Sequence, residues 1–240
     1  MNSMKLQDQI FKGITELFRG FTVISISGGA GTGKTSLTLY LIGSTITSIT
    51  PFKDTCIWVQ ASEQFPIKRL KTLFRNDGEK LEYLTNNIFI VPKLRSYSTY
   101  EKQVEQLKLF SEKDFLYPPD IKFIVIDNIS HHLRFKIAQV TDIAQRSSVI
   151  NNFYEKVLNP LIFRCQREEI NLILIHEVTF DIESQHTRPF FFKLYERING
   201  VNISLSRLSN SPLGKLDMTF DNISLSFGYS LTDEGFIFFK

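Results

Sequence analysis

The chain has 240 residues, 42% of them hydrophobic and 22% charged, with a formal net charge of +3. That balance excludes a disordered or fibrous chain, suits one α/β domain with a sizeable core, and is too mildly basic to mark a nucleic-acid binder by itself. Two cysteines, Cys56 and Cys165, in apolar contexts read as reduced core thiols, and the four histidines lack partners at zinc-ligand spacing.

The N-terminal stretch has no apolar core with a cleavage site, so no signal peptide is expected. No apolar run reaches membrane-spanning length, so no membrane partner is expected and a cytoplasmic location is. Leu6, Ile10, Phe11, Ile14, Leu17 and Phe18 follow helical spacing, with Gly20 as the stop. Strands are expected at 22–27, 56–60, 88–91, 121–127 and 171–176, and helices at 36–42, 66–74, 100–111 and 147–167. Strands alternating with helices predict a parallel sheet with helices on both faces. After residue 200 the pattern changes to short strands at 201–208, 216–220, 224–230 and 236–239. These predict a C-terminal antiparallel extension of the same sheet, within one domain over 1–240.

The densest signal is Ser27 to Ser36, SGGAGTGKTS. Gly28, Gly29, Ala30, Gly31, Thr32, Gly33, Lys34 and Thr35 match G-x-x-x-x-G-K-[ST], set between a strand and a helix. Glycines let the loop wrap a polyphosphate so that backbone N–H groups point inward. Lys34 is placed to reach the β- and γ-phosphates of ATP, and the Thr35 hydroxyl to bind Mg²⁺; the following helix adds its positive dipole end at Ser36. Asp127 ends an apolar strand at the carboxyl edge of the sheet, where it would orient the Mg²⁺; the alternative is a turn-starting Asp. Glu63, after the second strand, is the candidate water-activating carboxylate, the alternative being a solvated residue that caps the next helix.

Val178 to Ile198 interleaves basic and aromatic side chains: Arg188, Phe190, Phe191, Phe192, Lys193 and Arg197, with His186 and Tyr195. On a mobile loop such residues suit single-stranded DNA, rings stacking on bases and cations meeting phosphates; alternatively the three phenylalanines pack into the core. Lys68, Arg69, Lys71 and Arg75 on one short helix read as a solvated face.

The order of parts resembles the RecA superfamily, and within it the archaeal RadA recombinase and its paralogues of the RadB and RadC type, with the KaiC-like ATPases close by. The phosphate loop carries the resemblance, with Leu6 to Gly13, Asp127-Asn-Ile-Ser130, Asn171 to Val178 and Ser230 to Phe236 in order. It implies a RecA-like P-loop NTPase core with ATP and Mg²⁺ as cofactors. It also implies a weak ATPase that modulates homologous recombination through single-stranded DNA or a RadA-type recombinase. The segment Ser130 to Lys136 takes the place of the first DNA loop, with Arg134 and Lys136 as phosphate contacts, and the Phe190 segment that of the second. Departures are informative. The N-terminal helix-hairpin-helix domain of the recombinase and its Phe-x-x-Ala polymerisation segment have no counterpart. Ser62-Glu63 replaces a Thr-Glu or Glu-Glu pair, Glu177 stands where the family has a γ-phosphate-sensing Gln, and a basic pair used across a subunit interface is reduced to Arg207 and, further on, Lys215. These leave a KaiC-like regulatory ATPase, or a pseudo-ATPase acting through protein partners, as the alternative.

Overall fold

The computed structural model describes residues 2–49, 51–181, 186–207 and 213–239. In chain order the elements begin α1 (Asn2–Gly20), β1 (Val23–Gly28), α2 (Lys34–Ile46), β2 (Thr55–Gln60), α3 (Ile67–Leu73), α4 (Gly78–Asn87) and β3 (Ile88–Val91). They continue with α5 (Tyr100–Ser111), β4 (Ile121–Asp127), α6 (His131–Ala138), α7 (Ile143–Phe153), α8 (Asn159–Arg167) and β5 (Asn171–His176). A hairpin, β6 (Val178–Asp181) and β7 (His186–Pro189), precedes a short α9 (Phe192–Tyr195). Four strands close the chain: β8 (Val201–Arg207), β9 (Leu213–Phe220), β10 (Ile223–Thr232) and β11 (Gly235–Phe239).

One nine-stranded sheet has the order β11-β10-β9-β8-β1-β5-β4-β2-β3. From β8 to β3 every neighbouring pair is parallel; β9, β10 and β11 each join antiparallel. The sequence dictates that division. β1, β2 and β5 are buried at every residue and mostly apolar, with Gln60, Asn171 and His176 as the larger polar exceptions at strand ends, as suits strands covered on both faces. β8 instead alternates Val201, Ile203 and Leu205 inward with Asn202, Ser204 and Ser206 outward, so helices cover one face there. Asp221 and Asn222, both with positive φ, form the two-residue turn between β9 and β10.

Two apolar layers sandwich the sheet. Ile10, Ile14 and Phe18 of α1 and Leu37, Leu41 and Ile42 of α2 pack on one face with Ile24, Ile26 and Ile203. Leu107 and Phe110 of α5 and Leu161 and Cys165 of α8 pack on the other with Val59, Ile126 and Leu174. The helix expected at 147–167 begins earlier, at Ile143, and runs through a π-helical turn, Tyr154–Leu158, into α8. Pro160 at the start of α8 supplies no N–H, and the widened turn just before it accommodates that missing donor.

The basic run on α3 corrects one expectation. Lys68 and Lys71 are solvated, but Arg69 donates to the Thr232 carbonyl (2.7 Å) and to Ser36 Oγ (3.0 Å). Arg75 pairs with Glu234 (3.2 Å). Arg69 ties the β10–β11 turn to the start of α2, and Arg75, just past α3, holds the same turn.

Candidate functional site

β1 delivers the chain to the carboxyl edge of the sheet, where Gly28 to Gly33 make the turn into α2. Gly28, Gly31 and Gly33 have φ of 157°, 73° and 96°. A Cβ on Gly28 would meet the Leu205 carbonyl at 2.5 Å, so backbone packing alone demands glycine there. Gly33 is the residue before α2 and offers no side chain to the N–H groups of the first turn. Those donors and the positive end of the helix dipole face the cavity. The Thr32 hydroxyl donates to the Gly29 carbonyl (2.9 Å), and Tyr229 of β10 donates to the Thr32 carbonyl (2.6 Å). The C-terminal extension therefore holds the loop from behind.

The cavity has a volume of about 490 Å³ and is lined by the loop, Ser62, Glu63, Asp127, Arg134 and Glu177, among others. Lys34 Nζ folds back to donate to the carbonyls of Gly28 (2.8 Å) and Gly29 (3.0 Å). Burial lowers its pKa, against the opposing pull of Asp127, Glu177 and Glu63. Thr35 Oγ1 donates to Asp127 Oδ2 (2.9 Å). Burial pushes the Asp127 carboxyl up to about 6, opposed by that hydrogen bond, with Glu63 adding to the rise and Lys34 opposing it. An uncapped helix start, a lysine, a hydroxyl and a carboxylate of raised pKa thus converge on one wall. They fit a polyphosphate with its divalent cation: Lys34 and the loop N–H groups would take the anion, Thr35 and Asp127 the metal.

Glu63 is exposed and makes no hydrogen bond or ion pair among the described residues. The loop before it is fixed by Gln60, whose Oε1 accepts from the Phe65 N–H (2.8 Å) while Nε2 donates to the Pro92 carbonyl (2.5 Å). Glu177, at the end of β5, is half-buried. Burial alone would raise its pKa, but hydrogen bonds from Asn128 (2.9 Å), His131 (3.4 Å) and Arg134 (3.0 Å) hold it below the ordinary range. Its charge is thereby compensated inside the protein. Arg207, at the end of β8, reaches the glycine loop, its Nη1 standing 4.0 Å from where a Cβ on Gly31 would be.

Beside this wall, His176 is fully buried, its Nε2 2.7 Å from the Ser25 hydroxyl and its ring 4.2 Å from that of Tyr195. Burial, then the charge of Lys34, lowers its pKa from 6.5 to about 3. The unfolded imidazole takes a proton near 6.5 and the folded one resists, so stability is full above that pH and falls as the pH drops toward 3. Chemical denaturation at pH 7.5 and 5.5 is expected to show the wild type losing stability and His176→Asn losing less. An equal loss in both would place the acid sensitivity elsewhere.

Of the residues considered for nucleic acid, Arg134 lines the cavity, and most of the others are engaged within the protein. Arg134 sits 4.6 Å from the Phe190 ring centroid, and Lys136 pairs with Glu101 (2.7 Å). Arg188 pairs with Asp181 (3.4 Å) and lies 4.5 Å from the Phe192 ring centroid. Lys193 is exposed, 6.0 Å from the same ring, and Arg197 lies 5.6 Å from the ring of Tyr154. Phe190, Phe191 and Phe192 are half-buried, Phe191 against the core under α8. The segment is a β6–β7 hairpin leading to α9, and residues 182–185 at its tip lie outside the described residues. Phe135 and Phe180 are the more open rings, 53% and 61% exposed. Arg134, expected to contact nucleic acid, lines the cavity above the glycine loop. Tyr229, Asn128 and Gln60 carried no local signal.

A phosphate-type loop at the carboxyl edge of a doubly covered parallel sheet, with an antiparallel C-terminal extension, defines the RecA-like fold class. The chain superimposes on the crystal structure of the RadB recombinase with a TM-score of 0.68, over 94% of this chain and 96% of that one. The two share 19% sequence identity, so the likeness is one of fold. No family model matches the chain, and no curated protein matches it significantly in sequence.

Proposed function

We propose that this chain binds ATP with Mg²⁺ in the cavity above Gly28 to Thr35, hydrolyses it weakly, and modulates homologous recombination or repair through single-stranded DNA or a RadA-type recombinase. The observation that carries this reading is the convergence of Lys34, Thr35 and Asp127 at the uncapped start of α2, in a RecA-like fold. Lys34 and the loop N–H groups would hold the β- and γ-phosphates, and Thr35 and Asp127 would fix the Mg²⁺. The metal supplies charge neutralisation at the phosphates. Glu63 would orient or deprotonate the attacking water from the opposite wall. The basic and aromatic surface built from α6, β7 and α9 adjoins this cavity, which is why a polyanion such as single-stranded DNA is the favoured partner.

One observation favours a second reading. Glu63 is exposed with no partner to orient it, and Ser62 stands between it and the sheet edge, as expected of a nucleotide-gated pseudo-ATPase that acts through proteins. Phosphate release from ATP·Mg²⁺, with and without oligo(dT), separates the two. Turnover that rises with oligo(dT), falls with added salt and is lost in Glu63→Gln while ATP binding persists is the expected result. ATP binding with no phosphate release, and no response to oligo(dT), would establish the second reading.

A further inference from the structure

Glu177 is an acid lining a cavity suited to a polyphosphate, and its three side-chain partners come from one segment: Asn128, just before α6, and His131 and Arg134 within it. Arg134 alone of these also touches the hairpin. Its Nη1 donates to Glu177 Oε2 at 3.0 Å, and its guanidinium carbon lies 4.6 Å from the Phe190 ring centroid. Phe190 in turn donates its backbone N–H to the Glu177 carbonyl at 3.0 Å. One cation therefore bridges an anion in the cavity and an aromatic ring on the neighbouring surface.

That bridge is exchangeable. Half of the Arg134 side chain is exposed, so its ion pair with Glu177 is weakly held. A guanidinium presents a planar fork of donors that fits phosphate oxygens in pairs, and a terminal phosphate carries more charge than a carboxylate. Arg134 lines the same cavity as Lys34 and Thr35. A nucleoside triphosphate seated on those residues sets its terminal phosphate against Glu177, which repels it, and beside Arg134, which attracts it. A diphosphate lacks that group and leaves the Arg134–Glu177 pair standing.

We propose that Arg134 reads the terminal phosphate: it exchanges Glu177 for the γ-phosphate, favours ATP over ADP, and in moving leaves the Phe190 ring and loosens the β6–β7 hairpin. The proposal rests on the nucleotide reading above and adds a sensor from α6 in place of the side chain that ends β5. Arg207, at the end of β8, approaches the loop at Gly31 and supplies a further cation, with no ion pair to Glu177 and no stacking on Phe190 among the described residues.

The test uses the full chain with Mg²⁺, a non-hydrolysable fluorescent ATP analogue, and fluorescent ADP. Wild type is expected to bind the triphosphate about tenfold more tightly than ADP, in line with the added charge-assisted contacts of one phosphate. Arg134→Ala is expected to bring that ratio to about one with ADP affinity changed less than twofold; Arg134→Lys retains part of it. Trypsin cleavage at Lys193 and Arg197 is expected to be faster with the triphosphate than with ADP in wild type, and equal with both in Arg134→Ala. Phe190→Leu should keep the affinity ratio and reduce the difference in cleavage. An unchanged affinity ratio in Arg134→Ala, or cleavage that still follows the nucleotide in that variant, overturns the proposal. Wild type that binds neither nucleotide overturns the nucleotide reading itself, a separate outcome.

Discussion

Lys34→Ala is expected to lower affinity for ATP·Mg²⁺ by at least about a hundredfold. The amine now donates to the Gly28 and Gly29 carbonyls, within the arc where phosphate oxygens would sit, so it is already placed for charge-assisted contacts to two phosphates. Hydrogen bonds to charged groups contribute about 1.5–3 kcal/mol each, and losing two such contacts sets the scale of the loss. The nucleotide-free fold should change little. Lys34 is a half-buried cation whose burial disfavours its charge, and it lies outside both apolar layers. The check is thermal melting with and without ATP·Mg²⁺: wild type gains several degrees at saturating nucleotide, and the variant melts near the wild-type nucleotide-free temperature but gains nothing. Equal nucleotide stabilisation in the two proteins would remove Lys34 from the phosphate site.

Asp127→Asn is expected to reduce Mg²⁺-dependent turnover about a hundredfold or more while raising the stability of the nucleotide-free protein at pH 8. The two effects have one cause. Burial pushes the Asp127 carboxyl up to about 6, so above that pH the folded protein carries a poorly solvated charge that the unfolded chain hydrates freely. A folded-state pKa above the unfolded value of 3.8 gives a stabilising contribution that is complete below 3.8 and is lost as pH rises through about 6. Asparagine can still accept from Thr35 through its amide oxygen and carries no charge. Melting across pH 4 to 8 is expected to show the variant more stable at pH 8, with the difference shrinking toward pH 4. A variant less stable at pH 8 would mean that the wild-type charge is satisfied by groups other than those around Thr35. The gain in stability with loss of activity is the trade expected where a site holds a charge for a ligand.

How much of this was legible before folding follows from where each signal resides. The loop from Gly28 to Thr35 is local: spacing, glycines and flanking apolar runs specify it together. β2, β4 and β5 announce themselves because a strand covered on both faces needs an unbroken apolar run, as in Phe123 to Ile126. α4 gave no such sign. Its one fully buried side chain is Leu84, and its start depends on Asp77 accepting from the Lys80 N–H at 3.1 Å, a cap recognisable mainly once the helix exists. For α6 the sequence left open a loop with phosphate contacts or the start of a solvated helix, and it is a helix. It is held by buried His132, whose Nε2 lies 2.8 Å from the Ala61 carbonyl and 2.9 Å from that of Tyr97, both distant in sequence.

The site divides in the same way. Thr35 and Asp127 were paired by chemistry that the motif supplies. Arg134 was expected to meet a polyanion, and it lines the cavity above the glycine loop, the site proposed for a nucleotide. That placement depends on Glu177 and Phe190, which reach Arg134 from the end of β5 and from the hairpin that follows. No window of neighbouring residues contains those three side chains. Tyr229 is similar: its hydroxyl reaches Thr32 because the antiparallel strands extend the sheet beyond β8, the neighbour of β1.

The central claim is that the wall formed by Lys34, Thr35 and Asp127 binds a nucleoside triphosphate with its metal. Calorimetric titration of the wild-type chain with ATP·Mg²⁺, set beside ATP in excess chelator, tests it most directly. Saturable binding with a dissociation constant on the order of micromolar, weakened when the metal is withheld, is the predicted result. Heat-silent mixing up to millimolar ATP, with no shift in melting temperature, would contradict it.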